Sequence, residues 1–289
     1  MQEAIESMVA EYAGKYLPES LARAAIVEVG RRTFARGFVA ANDGNISARI
    51  GDDVILATPT GRSKGFIRED ELVKINLAGE KLEGPLRPSS EILMHLAIYK
   101  TRPDVLAIDH AHPPICTGFA VAGIPLDKCV LAEVVMTLGV IPIAEFAPPS
   151  TDELAEAVAA KMKDCNAVLL ANHGAVSVGK DVFEAHYTME RIEHFANISL
   201  VARLLGGEKL LTANDIERIS EVQREAGAKM PTVACKIGPD GSASCGLGSD
   251  SASPQGSSAS ITGSSVKGDV SGELVAEVLA AIKREFAEI

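Results

Sequence analysis

The chain has 289 residues, 47% hydrophobic and 23% charged, with a formal net charge of -11 at pH 7. That composition suits a folded globular protein of one large domain, or one domain with appendages. The acidic balance argues against a general nucleic-acid binder, and no run approaches the roughly 18 apolar residues of a membrane span, so neither partner is expected.

The first residues, 1–12, carry glutamates where a secretory signal would carry lysines, and a cytoplasmic protein is expected. Ile5, Met8, Val9, Tyr12 and Tyr16 make residues 1–18 an amphipathic extension that should pack on the body. Residues 19–36 read as a helix with Leu21, Ala25, Val29 and Phe34 on one side. Short strands follow at 45–50, 54–57 and 72–76, then a helix over 89–99 whose Ser-Ser-Glu start offers a cap. A strand at 105–109 runs into His110 and His112. Beyond it come strands at 140–144, 167–171 and 175–178, and helices at 152–163, 181–205 and 214–226. Strands outnumber the crossovers of a doubly wound sheet, which predicts a mixed or antiparallel sheet flanked by helices. Five cysteines without a CxxC spacing point to reduced, idle thiols.

Composition changes near Gly227. Glycine and serine supply 19 of the 35 residues from Gly238 to Gly272, so 228–270 reads as a flexible linker after a domain spanning 19–227. Residues 271–289 become periodic again: Val275, Leu279, Ile282, Phe286 and Ile289 form one stripe opposite Glu277, Lys283 and Glu288. A helix this short is marginal alone in water and needs a surface to bury the stripe. A partner protein suits it better than its own body, and better than a membrane, because the polar face is acid-rich.

Six histidines leave few coincidences. His110 and His112, two apart at a strand end, project from one face, and His173 in Asn172-His173-Gly174 follows another apolar strand. Three imidazoles suit zinc with a position left open for substrate, although an HxH pair alone is equally what two strand-edge histidines give. Glu91, near a helix start, is either a base beside that metal or a simple capping glutamate. His95, one turn on, reads as core or as support behind the metal ligands. The glycine-centred loops 42–47 and 58–65 offer backbone amides and hydroxyls to an anion, or are plain turns.

Taken in order, the GNIS, TPTG, Ser-Ser-Glu, HxH and NHG motifs resemble the class II aldolase and adducin-head superfamily, specifically its L-fuculose-1-phosphate aldolase branch. The resemblance spans roughly 19–227. It implies a three-layer α/β fold, with a central, mostly antiparallel sheet between helices, assembled as a homotetramer. It implies His110, His112 and His173 as zinc ligands, and Glu91 as catalytic base and resting-state ligand. It implies a substrate phosphate on Asn45, Thr60, Gly61, Ser89 and Ser90. Where that branch carries a mid-chain tyrosine this chain reads Ala132-Glu133-Val134, so Glu133 is the candidate acid. The implied reaction is aldol cleavage of a ketose 1-phosphate to dihydroxyacetone phosphate and lactaldehyde. Pentulose-phosphate 4-epimerisation, thio-sugar-phosphate dehydration and a non-enzymatic adducin-like module are the alternatives. The linker and terminal helix resemble the encapsulation peptides of bacterial microcompartment enzymes, implying a shell-protein partner for 271–289 and a place in the lumen.

Overall fold

Alternation along three central strands sorts their side chains to two helical layers. In the computed structural model, which describes residues 2–225, 233–237 and 243–247, these are β5 (Ala107–Ala111), β7 (Ala167–Leu170) and β8 (Gly174–Gly179). Ile108, Val168, Leu170, Val176 and Val178 face one way, against α3 (Ile92–Thr101) and α6 (Asp152–Met162). Ala107, Ala111, Ala167, Leu169 and Ala175 face the other, against α2 (Glu19–Ala35), α4 (Pro114–Val121) and α7 (Val182–Leu204). The alanines that make up most of this second face let the long helices close on the sheet, while Leu170 and four β-branched residues fill the first.

The remaining strands are β1 (Asn45–Gly51), β2 (Val54–Ala57), β3 (Val73–Ile75), β4 (Lys81–Glu83) and β6 (Ile143–Ala144). Together they make an eight-stranded sheet ordered β4-β3-β2-β1-β5-β8-β7-β6, antiparallel at every pairing except the parallel β6–β7 edge. The expected three-layer α/β architecture is therefore present. Side-chain caps mark two of its helix starts: Thr151 accepts from the Leu154 amide before α6, and Asp181 from the Glu184 amide before α7.

The N-terminal helix α1 (Gln2–Ala10) packs on the body as its pattern suggests, with Val9 buried and Ile5 and Tyr12 against the α2 side of the core. Several elements differ from expectation. The helix expected from 89 begins at Ile92, leaving Glu91 as the residue just outside it. The strand expected at 105–109 lies two residues later, which places His110 inside β5. The short helices α4 and α5 (Ala132–Thr137) and edge strand β4 are too brief to show a period. Helix α8 (Ala213–Glu225) is the last helix among the described residues. Inside the expected linker, β9 (Val233–Ile237) and β10 (Ala243–Leu247) pair antiparallel, with Cys235 opposite Cys245. Val233, Cys235 and Ile237 alternate there, a period-two signal masked by the surrounding glycine and serine. The expected terminal helix, 271–289, lies outside the described residues.

Candidate active site

Three chain segments converge at one end of β5. His110 is fully inside the strand and projects toward the α3 side; His112 follows the strand; His173 sits in the turn between β7 and β8, which is antiparallel to β5. That turn depends on two residues. Asn172 adopts φ 57°, a left-handed conformation that asparagine tolerates better than most residues. Gly174 must lack a side chain, since a Cβ there would lie 2.5 Å from the His112 ring and 2.6 Å from the Ala111 carbonyl.

The three rings are mutually edge-on, with centroids 4.9 to 5.1 Å apart. One ring nitrogen from each lies within 4.8 Å of the others. His110 donates from Nδ1 to the Ala175 carbonyl at 2.8 Å, which leaves its Nε2 lone pair facing the cluster. Glu91 closes the fourth side: Oε2 is 3.3 Å from His110 Nε2, and Oε1 is 3.1 Å from His173 Nε2. Its side chain makes no cap bond to α3, so the plain capping role is set aside. Asn45 Nδ2 donates to Glu91 Oε2 at 2.8 Å and aims the carboxylate.

These contacts pose an electrostatic problem. His112 Nε2 lies 3.3 Å from His110 Nε2, so the two nitrogens face each other either across one shared proton or across a cation. Glu91 Oε1 is buried without a hydrogen bond. Burial alone would raise the Glu91 carboxyl, but His110 and His173 outweigh it and hold it well below the usual carboxylate range. Burial, with His110 and His173 beside it, pulls the His112 imidazole down to about 3, so it stays neutral. Three imidazole nitrogens and a carboxylate oxygen facing one point are the donor set of a divalent cation, and His110, His112, His173 and Glu91 fit that group.

Beside this cluster opens a pocket of about 230 Å³. Thr60, Gly61, Ser89 and Ser90 line it, as expected of an anion site, together with Glu91, His112 and His173. Asn45 is not on its wall: it is buried behind Glu91, and its single described side-chain bond goes to that carboxylate. Glu133 is also absent from the wall. It is exposed on α5, whose Val134 and Val135 turn into the core and leave the glutamate outside.

Two residues that the motifs did not single out belong to the pocket. Asp43 lies with Oδ2 3.6 Å from His112 Nδ1, and Lys64 is buried in the wall. Behind the cluster, His95 is fully buried, its Nδ1 2.7 Å from Ser47 Oγ, which is itself 2.8 Å from the Tyr99 hydroxyl. This places His95 in the buried core behind the histidine cluster.

Known proteins are similar in sequence and in fold. The family described as Class II Aldolase and Adducin N-terminal domain matches residues 24–200. A 3-oxo-tetronate 4-phosphate decarboxylase of Pectobacterium atrosepticum is 35% identical over 208 residues, covering 70% of this chain and 94% of that protein. An L-fuculose phosphate aldolase of Methanococcus maripaludis is 34% identical over 175 residues, covering 61% and 94%. A solved L-fuculose 1-phosphate aldolase superposes with a TM-score of 0.66 at 29% identity, covering 70% of this chain and 96% of its own. With the motifs, the sheet and the histidine cluster in agreement, the chain belongs to the class II aldolase and adducin N-terminal domain family.

Proposed function

We propose that this protein is a zinc-dependent sugar-phosphate aldolase, cleaving a ketose 1-phosphate of the L-fuculose type to dihydroxyacetone phosphate and lactaldehyde. The observation that carries the reading is Glu91, an anionic carboxylate held at 3.1 to 3.3 Å from two cluster imidazoles on the wall of a pocket rich in hydroxyl donors. When bound to the three histidines, zinc supplies a Lewis acid that favours negative charge on the substrate's carbonyl oxygen. Thr60, Gly61, Ser89 and Ser90 hold the phosphoryl group beside it. In cleavage the Glu91 carboxylate takes up the proton lost by the hydroxyl beyond the breaking bond, the aldehyde leaves, and the same carboxyl returns that proton to the carbon left behind. Asn45 holds Oε2 of that carboxylate in place for the transfer.

A second reading has its own support. The chain has four tyrosines, and none lines the pocket. Tyr99 is buried with Ser47, Tyr187 bonds Glu6 and Arg32, Tyr16 bonds Asp52, and Tyr12 packs on the core. An aldol cleavage needs a group to accept the proton of the hydroxyl that becomes the aldehyde, a task a pocket tyrosine would share; loss of carbon dioxide from a 3-oxo sugar acid needs none. Decarboxylating a 3-oxo-tetronate 4-phosphate leaves the same three-carbon ketose phosphate, so both reactions use one half of the site and differ only in the departing fragment.

Parallel assays separate them. Zinc-loaded enzyme is given fuculose 1-phosphate, rhamnulose 1-phosphate, ribulose 5-phosphate and 3-oxo-tetronate 4-phosphate. The aldolase reading predicts lactaldehyde from a 6-deoxyketose at the highest kcat/KM. Carbon dioxide at the highest kcat/KM establishes the second reading, and conversion with every carbon retained overturns both.

The reading extends to a homotetramer in the lumen of a bacterial microcompartment, with residues 271–289 on a shell protein. Its support is the sequence: the 271–289 stripe behind a glycine- and serine-rich stretch, and a reactive aldehyde product of the kind a shell confines. Residues 238–289 fused to a fluorescent protein should form puncta with a cognate shell operon; diffuse fluorescence would count against it.

A further inference from the structure

The anion pocket contains a feature that neutral donors do not explain. Lys64 is the single lysine or arginine among the described residues lining it, and the residue is only 2% exposed. Its Nζ donates to the Asn42 carbonyl at 2.8 Å and the Arg62 carbonyl at 2.7 Å. These bonds tie the two glycine-centred loops together and leave one N–H and the full charge for the pocket. No carboxylate lies within 4.0 Å of it among the described residues. A buried ammonium with no carboxylate in direct contact is costly, which is why most buried lysines are paired.

The loop holds Lys64 rigidly. A Cβ on Gly30 of α2 would lie 2.6 Å from the Lys64 carbonyl oxygen, and one on Gly65 would lie 2.5 Å from the Phe34 ring. Helix and loop thus touch backbone to backbone, and the ammonium is placed before any ligand arrives. The pocket's other charged walls, Asp43 and Glu91, are both acidic and would repel a phosphoryl dianion. Burial brings the Lys64 ammonium down to about 8, with Asp43 and Glu91 pulling the other way, so it is charged at neutral pH.

We infer that Lys64 is the specificity residue that selects a phosphorylated substrate, its fixed ammonium supplying the counter-charge to the phosphoryl group held by Thr60, Gly61, Ser89 and Ser90. The inference rests on the reading of this pocket as a phosphate site and adds to it the group that separates a sugar phosphate from the free sugar. A strut that only joins two loops would affect both substrates alike.

The test uses full-length, zinc-loaded Lys64→Met and Lys64→Arg, with metal content checked. Lys64→Met keeps the apolar stem and removes the charge. Its KM for the phosphorylated ketose, and its Ki for inorganic phosphate, should both rise about 10- to 100-fold, the scale of a lost charged hydrogen bond. kcat and zinc content should change less than about fivefold, and preference for phosphorylated over free ketose should fall by the KM factor. Unchanged phosphate inhibition in a folded, metal-loaded Lys64→Met overturns the inference. If that variant does not fold, Lys64→Arg decides: phosphate inhibition within about tenfold of wild type supports the charge, and its loss in a folded protein refutes it. Wild-type enzyme that is insensitive to millimolar phosphate, yet turns over unphosphorylated ketose, overturns this inference and the phosphate reading together, and does so before any variant is made.

Discussion

The histidine cluster and the anion pocket share a wall but are built by opposite means. The cluster is side chains on regular elements: a strand residue, its neighbour two positions on, a tight turn from the adjoining strand, and a carboxylate at a helix start. Their identity carries the chemistry, and the sheet register places them within reach. The pocket is loops: amides, small hydroxyls and one buried lysine, in which the same residue types would serve equally well as plain turns. On the proposed reading, then, the histidines that would hold the metal are fixed by the sheet, and the lysine that would select the substrate is fixed by loop contacts on α2. Substitutions in the two regions should fail in different ways.

The largest effect is expected at His112. His112→Ala leaves two imidazoles and Glu91 for the metal, so bound zinc should fall well below one per chain and activity should fall to background. Full metal content with full activity in that variant would remove His112 from the cluster. Next is Glu91→Gln, which should keep zinc and phosphate inhibition but lose about 10²- to 10⁴-fold in kcat, the usual contribution of a positioned acid or base. A loss under tenfold would mean that another group moves the proton.

Gly174→Ala sharpens the contrast, because it touches no ligand atom in name. Its Cβ would meet the His112 ring at 2.5 Å and the Ala111 backbone at 2.6 Å, so the ring must move. Zinc affinity should drop about 10- to 100-fold, the range seen when groups supporting a ligand are lost, with phosphate inhibition of the zinc-saturated enzyme unchanged. Equal loss of both would show that the two regions are not separable. The smallest change is Ser90→Ala, which removes one neutral donor from the pocket. KM should rise about threefold to tenfold and zinc content should not change; altered metal binding would place Ser90 in the cluster instead.

The same division explains what the residues disclosed on their own. His110, His112, His173 and Glu91 stood out because the motifs that carry them are specific as a set, and the structure brings all four side chains together. Thr60, Gly61, Ser89 and Ser90 were legible as a set, and the pocket contains them. Lys64 was not: a lysine in a loop reads as solvated, and only packing at Gly30 and Gly65 shows it buried. Asn45 lies behind Glu91 rather than on the pocket wall because strand pairing, Asn45 against His110, decides where it can reach. Glu133 stood out only because it falls where the resembled branch carries a tyrosine; in the structure Val134 and Val135 turn inward and leave it exposed. The sheet itself was clear from alternation, while β4, α4 and α5 were too short for any period to register.

Aldol cleavage and decarboxylation would both leave dihydroxyacetone phosphate, and both require Glu91 to exchange a proton with its hydroxymethyl carbon beside the metal. Proton NMR of dihydroxyacetone phosphate in deuterium oxide with the zinc-loaded protein reads that step alone. The account predicts that one hydrogen exchanges stereospecifically, that a chelator stops the exchange and zinc restores it, and that Glu91→Gln abolishes it. Absence of exchange in a fully zinc-loaded wild-type protein, or exchange that persists in Glu91→Gln, would contradict it.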